Sequence, residues 1–226
     1  MHRCITAQII SWLNAALVNR NKFWKFDIDT RIFAQYATGK LPSESSLWLS
    51  GNNPEGLIDD KFTRSVGFFP SEWTQLGSSI NHFQDGGGLN LRGYAGYLAP
   101  EKDEATNEVY TSYKGNSGAA INIEIQFDRL WNFSPSFLRN TFKLEPYFFA
   151  DAGSISVKRK NGDQQFKPVR ADGGLGCLLT VKRFFKLEEV KAFTIRADFP
   201  LLVTALPYEE SNYFDFRWMI GIGKSF

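Results

Sequence analysis

Residue types able to make or break covalent bonds are scarce in this 226-residue chain. His2 and His82 are its only histidines, and Cys4 and Cys177 its only cysteines. No His-Glu-x-x-His zinc helix and no Gly-x-Ser-x-Gly nucleophile turn occurs, and two imidazoles leave little from which to build a serine–histidine–acid set. A cysteine–histidine zinc site lacks ligands, and two cysteines make no disulfide framework. No catalytic residue, metal or cofactor is therefore expected. What remains is ionic chemistry between carboxylates and guanidinium groups. One arginine has an unusual setting. Arg92 lies in Asp85-Gly86-Gly87-Gly88-Leu89-Asn90-Leu91-Arg92-Gly93-Tyr94, where three glycines permit positive φ and close packing. Taken alone, Arg-Gly-Tyr reads equally well as an ordinary glycine turn.

The elements that would position these charges have a period of two. Trp24, Phe26, Ile28, Thr30, Ile32, Ala34 and Tyr36 alternate with Lys25, Asp27, Asp29, Arg31, Phe33 and Gln35. The same alternation runs through Ala119–Asp128, Phe142–Ala152, Phe193–Val203 and Phe214–Ile222, and more weakly through Gly173–Val181. Each stretch has one uncharged, mostly apolar set and one set rich in charge, as a strand between two unlike surroundings requires. In a chain that is 22% charged, six charge-free faces are not an accident of composition. A shorter strand is expected over Ser46–Ser50. The total is about seven strands, or eight if residues 1–22 supply one. Those first residues otherwise read as a surface helix, and they make a poor secretory signal because Gln8, Ser11 and Asn14 interrupt the apolar stretch. Turns are expected at Asn161-Gly162-Asp163 and at Glu209-Glu210-Ser211-Asn212. Between them and the first strand, Gly51–Asn116 is too long for a mere connection and is expected to be functional.

Composition narrows the surroundings. Basic and acidic side chains number 26 and 24, so no nucleic-acid partner is expected. Hydrophobic residues at 43% exclude disorder, and no apolar run approaches the ~20 residues of a membrane helix. Alternation does not say which face meets what. In a soluble barrel or sandwich the apolar face is the core; in an outer-membrane barrel it meets lipid and the polar face lines a lumen. The strands match the ~9–11 residues of a tilted spanning strand. Aromatic residues gather near strand ends, at Trp24, Tyr36, Phe127, Trp131, Phe193 and Phe214, as interfacial girdles do. The membrane arrangement is therefore expected. The last strand, with Trp218, Ile220 and Ile222 alternating up to Phe226, has the aromatic ending of bacterial outer-membrane barrels, an edge that assembly machinery can pair with.

Arg92-Gly93-Tyr94, followed in order by Asn122-Ile123-Glu124, Phe149-Ala150-Asp151-Ala152-Gly153 and the Phe226 ending, resembles the bacterial surface-antigen barrel family. That family contains outer-membrane barrel-assembly and two-partner-secretion proteins with sixteen-strand barrels. The resemblance spans roughly residues 23–226. It implies an all-β fold, the C-terminal portion of an antiparallel transmembrane β-barrel, in the outer membrane of a Gram-negative bacterium. It implies that Leu91, Arg92, Gly93 and Tyr94 form a loop motif folded into the lumen, with Glu124 and Asp151 as acidic partners of Arg92. Both carboxylates fall on the polar set of their strands, where an unpaired buried charge would cost several kcal/mol. Arg196 or Arg217 could pair with them instead.

The implied function is non-enzymatic assembly or translocation of proteins, with outer-membrane lipid, a client or secreted protein and the barrel-assembly machinery as partners. Seven open strands would leave two edges unpaired in lipid. The chain is thus expected to be a C-terminal part, completed by an N-terminal part of the same product or by another chain. Two other functions fit the sequence: a membrane-anchor barrel of a larger peptidase or lipase, and a soluble lipocalin-like binding barrel.

Overall fold

A computed structural model describes residues 11–39, 41–42, 45–51, 86–97, 100–102, 107, 109–130, 141–158, 164–181, 193–204 and 213–223. Residues 1–10, most of the stretch expected as a long loop (52–85), the two expected turns and Phe226 lie outside the described residues. The described residues are all-β apart from single turns of 3₁₀ type. The strands are β1 (Ser11–Phe23), β2 (Phe26–Thr38), β3 (Leu47–Trp48), β4 (Pro100–Lys102), β5 (Val109–Thr111), β6 (Lys114–Gly115), β7 (Ser117–Gln126), β8 (Phe142–Lys158), β9 (Gln164–Phe166), β10 (Arg170–Val181), β11 (Phe193–Val203) and β12 (Met219–Ile222).

Eight strands form one antiparallel sheet in the order β1-β2-β7-β8-β10-β11-β12, with β9 beside the far end of β8. Two short pairs, β3 with β6 and β4 with β5, stand apart from it. The sheet is open. Among the described residues β1 and β12 occupy its two ends and do not pair with each other.

The period-two expectation holds for the long strands, with two corrections. Of the two readings of the first residues, Ser11–Phe23 take the strand, paired along its whole length with β2. Strand β2 begins at Phe26, not at the Trp24 where the alternation starts, because Trp24 and Lys25 make a two-residue hairpin turn between the paired Phe23 and Phe26. Trp24 takes φ 54° there, without the glycine or asparagine that usually marks such a turn, so alternation reads straight through it. The last strand is also shorter than Phe214–Ile222. Its ladder with β11 covers Asp198↔Met219 to Ile195↔Ile222, and Phe214 makes only an isolated bridge to Leu202. Pro200 has no N–H to return a ladder bond, and the register shifts opposite Gly173 and Gly174.

The polarity of the sheet is inverted relative to a water-soluble core. Asp29, Arg31, Asn122, Glu124, Gln126, Glu145, Asp151, Asp172, Arg196 and Asp198 are buried. The alternate residues of the same strands are uncovered: Ile32 is 50% exposed and Phe148 52%, with Ile121, Leu175, Phe199 and Leu201 also exposed. Strand β1 is exposed along both faces. The segment 86–97 and the short β3 cover the buried face. There Leu47, Leu49, Leu89, Leu91, Tyr94 and Tyr113 form an apolar cluster with the inward-facing Phe33, Ala120, Ile155 and Val203.

Candidate functional site

The covering segment owes its course to its glycines. Gly86, Gly87 and Gly88 have φ of 72°, 77° and 50°, and Asn90, a residue tolerant of this region, has 55°. Gly88 also allows a close crossing, since a Cβ on it would lie 2.6 Å from the Gly51 carbonyl oxygen. The turn delivers Leu91 to the residue that follows β3, where its N–H donates to the Leu49 carbonyl at 3.0 Å. Arg92–Tyr94 then form a single 3₁₀ turn, with the Tyr94 N–H donating to the Leu91 carbonyl.

Arg92 is fully buried on the polar face. Its Nε donates to Asp151 Oδ2 at 2.7 Å, Nη2 to Asp151 Oδ1 at 2.9 Å and Nη1 to Glu124 Oε1 at 2.7 Å. Asp198 lies 3.8 Å away, and the guanidinium carbon stands 4.0 Å from the ring centre of Phe149. Burial alone would lower the Arg92 pKa. Asp151, Glu124 and Asp198 outweigh it and hold the guanidinium well above its ordinary value. The arginine is a permanent cation, and with its carboxylates it makes a charge clamp.

The clamp joins residues that β7 and β8 hold in place. Asn122 pairs directly with Asp151 across these strands. Its amide nitrogen donates to Asp151 Oδ1 at 3.0 Å and to the Leu89 and Asn90 carbonyls at 3.2 and 3.1 Å. Arg31 on β2 donates to Asn122 Oδ1 at 2.8 Å and to the Gly88 carbonyl at 2.7 Å. From the other side Arg217 reaches the Gly93 and Ala95 carbonyls, both at 2.6 Å. Three arginines thus grip one loop. Arg92 grips it by side chain to strand carboxylates, and Arg31 and Arg217 from the strand side to loop carbonyls. Tyr94 anchors the far end by donating to the Thr204 carbonyl, and Tyr97 donates to Asp215 at 2.7 Å. Burial pushes both phenols well above the usual tyrosine range.

The structure brings together Leu91, Arg92, Gly93, Tyr94, Glu124 and Asp151. Leu91 and Tyr94 enter the apolar cluster, and Gly93 passes against β10 and β11. Arg196 lies 2.8 Å from Asp198, and Arg217 donates to the loop backbone. Trp218, Ile220 and Ile222 are elsewhere, on and next to the sheet's edge strand β12. Arg31 was not singled out by sequence as part of the site; its one signal was membership of the charged set of its strand, which it shares with residues that do not touch the loop. Asn122 and Phe149 stood in the quoted motifs without a role, and Arg217 was named only as an alternative partner of the carboxylates. The inward positions of these strands and the loop motif form one network. Comparison with protein-family models, with characterised proteins and with solved structures finds no match to this chain in any of the three.

Proposed function

We propose that this chain supplies the C-terminal strands of a surface-antigen type barrel in the outer membrane of a Gram-negative bacterium. In this reading the protein performs no covalent chemistry. It assembles or translocates other proteins, and the Arg92 loop braces the water-filled side of the barrel wall. The observation that carries the reading is the inverted polarity. A guanidinium with three carboxylates around it is buried, while isoleucines and phenylalanines of the same strands are uncovered. In water that arrangement forfeits about 1.5–3 kcal/mol for each large apolar side chain left exposed. In hydrocarbon it is the favoured one, because the apolar side chains meet lipid and the charges meet each other. The two unpaired edges, β1 and β12, would take further strands to close the wall, and β12, four residues long, is the weaker seam.

The test is fractionation of cells expressing the chain with whatever precedes it in its reading frame. Recovery in the outer-membrane fraction, extraction only by detergent and a heat-dependent shift in electrophoretic mobility are expected. A monodisperse, detergent-free soluble protein would remove the reading in favour of a water-soluble binding barrel.

A further inference from the structure

The last described segment, 213–223, is held to the sheet in two different ways. Met219–Ile222 pair with β11 as β12, and the Gly223 N–H extends the ladder by donating to the Thr194 carbonyl at 2.9 Å. Before Met219 the ladder fails. Leu202 meets Phe214 in an isolated bridge and Asp198 meets Met219 at the start of β12, so Phe199, Pro200 and Leu201 face four residues, 215–218. That mismatch is a bulge, and Pro200 has no N–H to offer across it. A backbone bond crosses the gap from the Arg217 N–H to the Pro200 carbonyl at 3.2 Å. The loop supplies what the ladder lacks. Arg217 is buried, and its Nη1 and Nη2 donate to the Gly93 and Ala95 carbonyls, both at 2.6 Å. Its guanidinium carbon stands 4.2 Å from the ring centre of Tyr97, whose O–H donates to Asp215 Oδ2 at 2.7 Å.

The same loop is anchored far from this edge. Arg92 donates to Asp151 on β8 and to Glu124 on β7, and β10 and β11 lie between those strands and β12. Gly93, next to Arg92 in the chain, carries one of the two carbonyls that receive Arg217. A buried guanidinium that loses its acceptors is costly, so a departing loop drives Arg217 out of place. The main chain at Arg217 then draws away from Pro200, and a ladder of four residue pairs is left to hold the edge. We propose that Arg217 is a positioning residue that couples docking of the 86–97 loop to attachment of the edge strand β12, so that the loop fastens the end of the sheet from its covered face. Coupling of this kind is reciprocal: whatever fastens β12 also favours the docked loop. It follows from contacts on the covered face and holds whether the uncovered face meets lipid or water.

Hydrogen exchange of the full chain, in whichever medium keeps it monodisperse, tests the coupling. The readouts are the amides of Arg217 and Gly223, which bond across the edge, and those at 88–97. Arg92→Ala should lower protection at the loop and, together with it, at Arg217 and Gly223 by about tenfold to a hundredfold. The ladder between β1 and β2 should keep its protection. Arg217→Gln should lower protection at 88–97 by a similar factor, although Arg92 and its carboxylates are intact. In Arg92→Ala/Arg217→Gln the edge should be no looser than in Arg92→Ala alone. Edge protection that survives in Arg92→Ala after the loop has lost its own overturns the proposal. So does unchanged loop protection in Arg217→Gln, or edge losses that add in the double variant. An equal loss in the ladder between β1 and β2 also overturns it, since that is general loosening rather than coupling. If Arg92→Ala does not fold, Arg217→Gln read at 88–97 and Gly93→Ala read at Gly223 decide the matter alone.

Discussion

Arg92 and Asp151 meet side-on, Nε to Oδ2 at 2.7 Å and Nη2 to Oδ1 at 2.9 Å, with neither side chain exposed. The planar fork leaves Nη1 free to turn to Glu124, at 2.7 Å. An ammonium group offers no such fixed fork.

Arg92→Ala should therefore cost about 3–5 kcal/mol of loop docking, because it leaves Asp151 and Glu124 buried beside an empty space. Arg92→Lys should recover the charge but not the geometry and lie between the two. Denaturant-dependent hydrogen exchange at 88–97 reads both. Equal protection in Arg92→Lys and wild type would show that charge alone holds the loop.

Gly93→Ala should displace the loop although Arg92 is intact. The added methyl group meets the Asp172 Cβ at 2.7 Å and Val203 at 2.9 Å. Overpacking of this kind costs about 1–3 kcal/mol. Val203→Ala alone should not rescue it, since the contact with Asp172 remains. Full rescue by Val203→Ala would move the critical contact to β11.

Gly176 makes room for Tyr147, since a Cβ there would lie 2.2 Å from the ring's Cζ atom. Tyr147 is fully buried and donates to Asp198. Gly176→Ala should break that bond and lower stability by about 1–3 kcal/mol. Removing the ring as well, in Gly176→Ala/Tyr147→Ser, should make the two changes strongly non-additive. Additive unfolding energies would disprove the coupling.

Ile121 sits on the uncovered face of β7 and is 40% exposed. Ile121→Arg should cost about 2–4 kcal/mol if that face meets the middle of a bilayer. It should stay within about 0.5 kcal/mol if the face meets water. Folding yield and unfolding midpoint in lipid vesicles distinguish the two outcomes.

Tyr94 and Tyr97 should stay protonated as long as the loop is docked. Burial raises both phenols, so docking favours their neutral forms. That stabilisation is complete below the ordinary tyrosine range, about pH 10, and declines above it as the phenolates form on release. Phenolate absorbance from these two residues should appear together with the loss of loop protection. Phenolate formation in a protected loop would contradict this.

The strands and their two-facedness were legible in the amino-acid order because side chains on a strand alternate with a period of two, whatever lies on either side. Thus Ile121, Ile123 and Ile125 separated from Asn122, Glu124 and Gln126 without reference to any neighbour, and β11 appeared with its observed limits. The hairpin at Trp24-Lys25 and the break after Pro200 did not, since alternation passes through a turn that lacks its usual residues. The motif around Arg92 and the acidic residues Glu124 and Asp151 could be named from their order along the chain. Which face is covered could not, because a strand pattern is unchanged when inside and outside are exchanged. Nor could the opposition of Asp172 to Asp151, or the reach of Arg217 to Gly93 across 124 positions of sequence. Those contacts depend on strand register and on how the loop folds back. A shift of one residue in either would send the same side chains to the opposite face.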